Sequence, residues 1–274
     1  MNPRVFPISR VLIVAFVCLV AALTVFGFVV RSWQPAVASE HGVGVDRVIR
    51  YLLVTTGAIF VIAHLALAWL LWRGSGKGPA TYRPVSRRTE LLWALFPVLA
   101  MALISEAGVL VIGRPVWEQL YGELPADTLE VEVVGKQFEW FVRYSGKDGT
   151  FGRTEPERVH EVRNLVGLVK KDPAATDDLV FRGVLRLPVG KPVKVRLRSH
   201  DVLHSFSIPA FRTKQDIIPG VTLGTQFTPT EIGEFEIACA ELCGLGHYKM
   251  RGTVKIMPQE EFDQWLAGQT GWFE

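Results

Sequence analysis

Near the end of the chain, the stretch CAELCGLGHYKM (Cys239–Met250) holds two cysteines, a histidine, a methionine and a glutamate. Outside a reducing compartment, two cysteines this close would first indicate a disulfide. A bridge at i and i+4, however, leaves His247 and Met250 without a purpose. Structural zinc takes closely spaced Cys and His, and methionine is not among its usual ligands. Thiolate, imidazole and a weak thioether together are the ligand set of electron-transfer copper. A single copper of that kind needs one Cys and two His, and SHDVLHSFSIP upstream offers His200 and His204. One thiolate is then left over. Two thiolates shared between two copper ions, each ion with its own imidazole, would use the whole set.

Short alternating or β-branched runs surround these ligands. They are Thr128–Val134, Phe138–Tyr144, Val180–Leu187 and Val193–Ser199, followed by VTLGTQFT, GEFEIAC and GTVKIM, with Gly and Pro between. Many short strands at regular spacing predict an all-β sandwich or Greek-key barrel. Pro258–Gly268 reads as a short amphipathic helix, with Pro at its start and Gly at its end. Ser145–Asp178 is polar and charged, and is expected to be a disordered surface insertion.

Three apolar segments precede this domain: Val11–Val30, Tyr51–Trp72 and Leu92–Gly113. Each has the roughly 20 residues that a helix needs to cross a bilayer. His64 and Glu106 interrupt the second and third, and Cys18 in the first reads as a small buried apolar residue. Arg73, Lys77, Arg83, Arg87 and Arg88 between the last two spans place that linker in the cytoplasm. Arg4 and Arg10 put the start there too, and everything after Gly113 falls outside. The first segment has a second reading: Ala36-Val37-Ala38 is a small-x-small pattern, so residues 1–38 are either a retained helix or a cleaved signal. Arg31 and Trp33, between the apolar run and that pattern, weigh against cleavage. The expected layout is that segment, a membrane hairpin at 46–113 and an outer domain at 114–274. The outer domain is mildly acidic, so the net charge of +3 reflects membrane topology and gives no sign of nucleic-acid binding.

DVLHSFSIPAFRTKQDIIPG followed by CAELCGLGHYKM resembles subunit II of the haem-copper cytochrome c oxidases. The shared pattern is C-x-E-x-C-G-x-x-H-x-x-M, with a histidine 35 residues before the first cysteine, as His204 stands to Cys239. The resemblance runs over about Asp46–Gly268 and implies a membrane-anchored, cupredoxin-like Greek-key β-barrel. It also implies a binuclear copper centre, CuA, bound by His204, Cys239, the Glu241 carbonyl, Cys243, His247 and Met250. The Glu241 side chain would share a magnesium ion with subunit I. His200 is not a ligand in this reading, and Asp201 is a candidate partner for His204 or a docking carboxylate.

RTELLWALFPVL resembles the start of the family's second helix and puts Glu90 at the mouth of a proton channel. The plainer reading is a solvated glutamate at a helix start. One departure stands out. The family's GHQWYW carries a tryptophan where electrons enter, but GKQFEWF has Phe138 there, and Trp140 matches the later aromatic. The implied function is acceptance of electrons from cytochrome c or a similar donor and their delivery to the haem of subunit I, for oxygen reduction coupled to proton translocation. No C-x-x-C-H follows the copper motif, so the donor is a separate protein. Two alternatives are the CuA subunit of a nitric oxide reductase and a copper-delivery protein. A quinol oxidase subunit II would have lost the ligands that are present here.

Overall fold

The computed structural model describes residues 7–30, 34–74, 82 and 84–273. Arg4, Arg31, Trp33, Lys77 and Arg83, used in the arguments above, lie outside the described residues, as does the side chain of Arg10. The chain divides into two units, one helical (residues up to Trp33 and Asp46–Arg114) and one mainly β (Gln34–Val45 and Pro115–Glu274).

The helices are α1 (Pro7–Val30), α2 (Glu40–Gly74), α3 (Arg87–Ala100) and α4 (Ala107–Tyr121), with a π-helical turn at Met101–Glu106 joining α3 to α4. Three of these runs, the last being Arg87–Tyr121, are long and apolar enough to cross a membrane. The second and third extend beyond the apolar stretches because backbone hydrogen bonding, unlike membrane residence, does not require apolar side chains. Ser86 caps α3 by accepting the Thr89 amide at 3.2 Å. In the π turn, the Tyr51 hydroxyl donates to the Ile104 carbonyl. Gly108 leaves the room for it, since a Cβ there would collide with the tyrosine ring.

The β unit is built from two five-stranded sheets, ordered β3-β2-β1-β5-β8 and β4-β10-β9-β6-β7. In chain order the strands are β1 (Leu129–Lys136), β2 (Glu139–Tyr144), β3 (Leu179–Arg182), β4 (Val184–Pro188) and β5 (Val193–Ser199). They continue as β6 (His204–Ile208), β7 (Thr213–Ile217), β8 (Leu223–Phe227), β9 (Gly233–Cys239) and β10 (Arg251–Met257), before α5 (Gln259–Ala267). Most neighbours are antiparallel, while β1–β5 and β4–β10 run parallel. Alternation directs Val131, Val133, Val195 and Leu197 of one sheet toward Phe206, Ile208, Ile237 and Val254 of the other. The run Val180–Leu187, expected as one strand, becomes two strands in different sheets. Gly183 makes the turn with φ of 67°, a conformation that disfavours a side chain.

The insertion at 145–178 is not disordered. Val134, Phe141 and Val180, on the outer face of the first sheet, are covered by Leu165, Val166, Leu168 and Ala175 in a second apolar core. A buried ion network lies beneath it. Arg143 reaches Glu132 at 3.0 Å and Asp178 at 2.5 Å, and Arg198 forks onto Glu132 at 2.9 and 3.0 Å. Burial works against the charge of Glu132, but Arg198 and then Arg143 outweigh it and hold its pKa below the usual carboxylate range. The sequence signals disorder here because the buried apolar residues of the segment are few and spaced irregularly.

Gln34–Val45, which contains the small-x-small pattern, is part of the β unit. Ala38 donates to the Ala210 carbonyl at 2.8 Å and accepts from Thr230 at 3.0 Å, and Ser39 and His41 are buried.

Candidate metal centre

Two strands and one loop bring the sulfur and nitrogen groups together. His204 is the first residue of β6, and Cys239 is the last of β9. These strands pair with Phe206 opposite Cys239, which sets His204 beside the start of the loop. That loop runs to β10 and is closed at its base, where the Cys239 amide donates to the Met250 carbonyl at 3.1 Å. A 3-10 turn at His247–Lys249 turns His247 back toward Cys243.

Both cysteines are free thiols, and their sulfurs are 3.9 Å apart. Each sulfur has its own imidazole: His204 Nδ1 is 3.9 Å from Cys239 Sγ, and His247 Nδ1 is 3.7 Å from Cys243 Sγ. Met250 Sδ is 3.7 Å from Cys243 Sγ, and the Glu241 carbonyl oxygen is 3.2 Å from Cys239 Sγ. The weak donors thus sit at opposite ends of the sulfur pair. His204, Cys239, Cys243 and Met250 are buried. Burial, and then the neighbouring Cys239, push the Cys243 thiol up to about 11. Two adjacent thiolates therefore need a cation to hold them deprotonated. Soft sulfurs, two imidazoles, a thioether and a carbonyl suit copper better than zinc.

The supports are equally specific. His204 Nε2 is 2.8 Å from Asp201 Oδ1, which fixes the tautomer that leaves Nδ1 free for a metal. Burial opposes the charge on Asp201, but hydrogen bonds from the Gln137 amide, His204 and the Val202 amide outweigh it and lower its pKa. Gln137 also donates from Nε2 to the Cys243 carbonyl at 2.6 Å, tying the β1–β2 hairpin to the loop. Gln137 is the glutamine that GKQFEWF shares with the family's GHQWYW, but its role is invisible in sequence because its two partners lie far along the chain.

Phe138 is half-buried at that hairpin, with its ring against Gly244 and Gly246 of the loop. Trp140 is fully buried, 6.1 Å from the His204 ring between centroids, so it packs beneath that imidazole and is closed to an external donor. His200 does not join the cluster; it is half-buried, 3.1 Å from the Leu165 carbonyl of the insertion. Glu90 is exposed in the first turn of α3, in the helical unit. Among the described residues, the one group of three or more His, Cys, Asp or Glu side chains placed to hold a metal is His204, Cys239 and Cys243. The Glu241 carboxylate is in no such group.

A two-sheet β unit with this donor set, following three membrane-length helices, defines a membrane-anchored, cupredoxin-like metal protein. The family model for cytochrome c oxidase subunit II, periplasmic domain, matches residues 129–257. The alternative cytochrome c oxidase subunit 2 of Bradyrhizobium diazoefficiens is 37% identical over 240 residues, covering 86% of this chain and 84% of the relative. Cytochrome c oxidase subunit 2 of Cereibacter sphaeroides is 27% identical over 237 residues, covering 81% and 74%. The solved periplasmic domain of subunit II from Bradyrhizobium japonicum is 28% identical with a TM-score of 0.39, covering 53% of this chain and 95% of that one. The chain belongs to the cytochrome c oxidase subunit II family and is thereby part of an oxidoreductase complex that includes other oxidase subunits.

Proposed function

We propose that this chain is the subunit through which its oxidase receives electrons. They arrive singly from a soluble donor at a binuclear CuA centre on the outer face of the membrane, and leave for a haem of subunit I. The ligands would be His204, Cys239, the Glu241 carbonyl, Cys243, His247 and Met250. When bound, the copper pair shares one unpaired electron across both sulfurs, so its redox change needs little bond rearrangement. The carrying observation is the pair of free thiols 3.9 Å apart, each flanked by a separate imidazole.

The chain's own part is to hold these groups still. Asp201 fixes the His204 ring, Gln137 fixes the loop at the Cys243 carbonyl, and burial excludes water from the sulfurs. Buried ligands drawn from two strands and a loop favour retention of the metal over its delivery to another protein. In the same reading the helices span the membrane with the linker between the second and third spans, residues 73–90, in the cytoplasm, Glu90 lies at a proton-channel mouth, and the Glu241 carboxylate reaches toward a magnesium ion shared with subunit I.

The test is Cys239→Ser in the assembled oxidase. The haems should remain and still accept electrons from a small artificial reductant, while oxidation of the protein donor stops. Donor oxidation at the unmodified rate would overturn the reading.

A further inference from the structure

The segment just before α2 holds the small-x-small pattern Ala36-Val37-Ala38, which the sequence leaves open as the end of a cleaved signal. Its packing bears directly on that choice. Ala38 is 1% exposed and belongs to the core between the two sheets. Its amide donates to the Ala210 carbonyl at 2.8 Å, and its carbonyl accepts the Thr230 amide at 3.0 Å. The Glu40 amide donates to the Thr228 carbonyl at 3.0 Å, and Ser39 bridges Pro229 in antiparallel fashion.

These partners come from both sheets. Ala210 and Phe211 lead into β7, an edge strand of one sheet, while Thr228 and Thr230 follow β8, an edge strand of the other. The Ser39 hydroxyl donates to the Phe211 carbonyl at 2.8 Å and accepts the Gly42 amide at 3.2 Å. Ser39 thus ties the approach to β7 and also caps the start of α2. Upstream, Arg212 Nη2 donates to the Pro35 carbonyl at 2.8 Å. Gly42 lies so close to Val37 that a Cβ there would stand 2.5 Å from its methyl group. Residues 35–42 therefore clasp the two sheet edges together.

A cut after Ala38 would undo the clasp. Ala38 would leave the core, and the Ala210 carbonyl, the Thr230 amide and the Arg212 guanidinium would each lose a bond. The new chain end would put an ammonium group on Ser39, which is 0% exposed and stands at the positive end of α2. A buried cation at a helix N-terminus is disfavoured on both counts. The apolar run ahead of the clasp is itself a complete helix, α1, long and apolar enough to cross a membrane. It lies in the helical unit beside α2, where Cys18 and Ala22 share a cleft with Val61 and His64.

We propose that residues 35–42 are an integral clasp of the outer domain, that the chain is not cut at Ala38, and that α1 is retained as a third membrane helix. This goes beyond the copper reading and does not rest on it.

The test uses the oxidase purified whole from membranes. Intact-mass measurement and amino-terminal sequencing of this chain should place its first residue ahead of Val11, with the apolar run of α1 whole. A chain that begins at Ser39, or anywhere beyond Val11, would overturn the proposal. Amide exchange checks the clasp separately. The amides of Ala38, Glu40 and Gly42 should exchange about 100-fold or more slower than in an unstructured chain. Exchange at the unstructured rate would overturn the clasp. Thr230→Pro removes the N–H that Ala38 accepts and should speed exchange at these three amides by about tenfold, with the amino terminus unchanged. An unaltered rate in that variant would also count against the clasp.

Discussion

His204 Nε2 lies 2.8 Å from Asp201 Oδ1, and the opposite ring nitrogen faces Cys239 Sγ at 3.9 Å. The carboxylate therefore decides which nitrogen is available to a metal. Asp201→Ala should weaken copper retention by about 10–100-fold, measured by competition with a chelator. Asp201→Asn keeps one acceptor oxygen, which can face His204 while the new amide nitrogen meets the Gln137 N–H, so it should lose less. Equal losses in the two variants would show that the hydrogen bond does not set the ring.

Gly246 tests the seating of the loop on the hairpin. Gly246→Ala puts a methyl group into the Phe138 ring and should cost about 1–3 kcal/mol, with the copper absorption bands shifted. Gly57→Ala has nothing within 4 Å of the new Cβ and should be neutral or slightly stabilising. Thermal melts of the purified chain compare the two.

The ion network under the insertion is a liability if broken. Arg143→Met leaves Glu132 and Asp178 buried without their shared partner, and should cost about 3–5 kcal/mol. Hydrogen exchange at residues 145–178 should rise with it. Protection equal to that of the unmodified chain would mean that the apolar contacts alone hold the insertion.

The same network has a pH signature. Glu132 has a lowered pKa in the fold, so its stabilisation is complete above the ordinary carboxylate range and is lost as pH falls through the lowered value. Asp178, raised by burial against the pull of Arg143, acts with the opposite sign: it favours the fold at low pH and loses that benefit as pH rises. Glu132→Gln should therefore flatten the acid-induced loss of exchange protection in β1 and β2. An unchanged acid profile would place the sensitivity elsewhere.

The sequence announced most of this architecture through local patterns. Strands such as β5 and β9 alternate clearly, and the membrane helices declare themselves by length and apolarity. The six candidate ligands were legible through the family resemblance, because the Cys, His and Met among them are sparse residues at fixed intervals, and five of the six lie within twelve residues. What escaped was long-range. Gln137 earns no notice until the fold sets it between Asp201 and the Cys243 carbonyl. The insertion looked unstructured because its core contribution comes from scattered residues such as Leu165 and Leu168. Trp140, grouped with Phe138 by sequence proximity, lies within β2 and is buried between the sheets, whereas Phe138 precedes the strand in the hairpin turn and only its flank reaches that core. Gly183 was invisible as a breakpoint because both halves of its run are equally β-prone.

The account stands on two thiolates shared by two metal ions, and the most direct measurement is copper content with EPR on the purified chain. The expected result is two coppers per chain and an unpaired electron whose hyperfine splitting is divided equally between two nuclei. A single copper with one-nucleus splitting, or Cys239 and Cys243 joined to each other in the fully loaded protein, would contradict it.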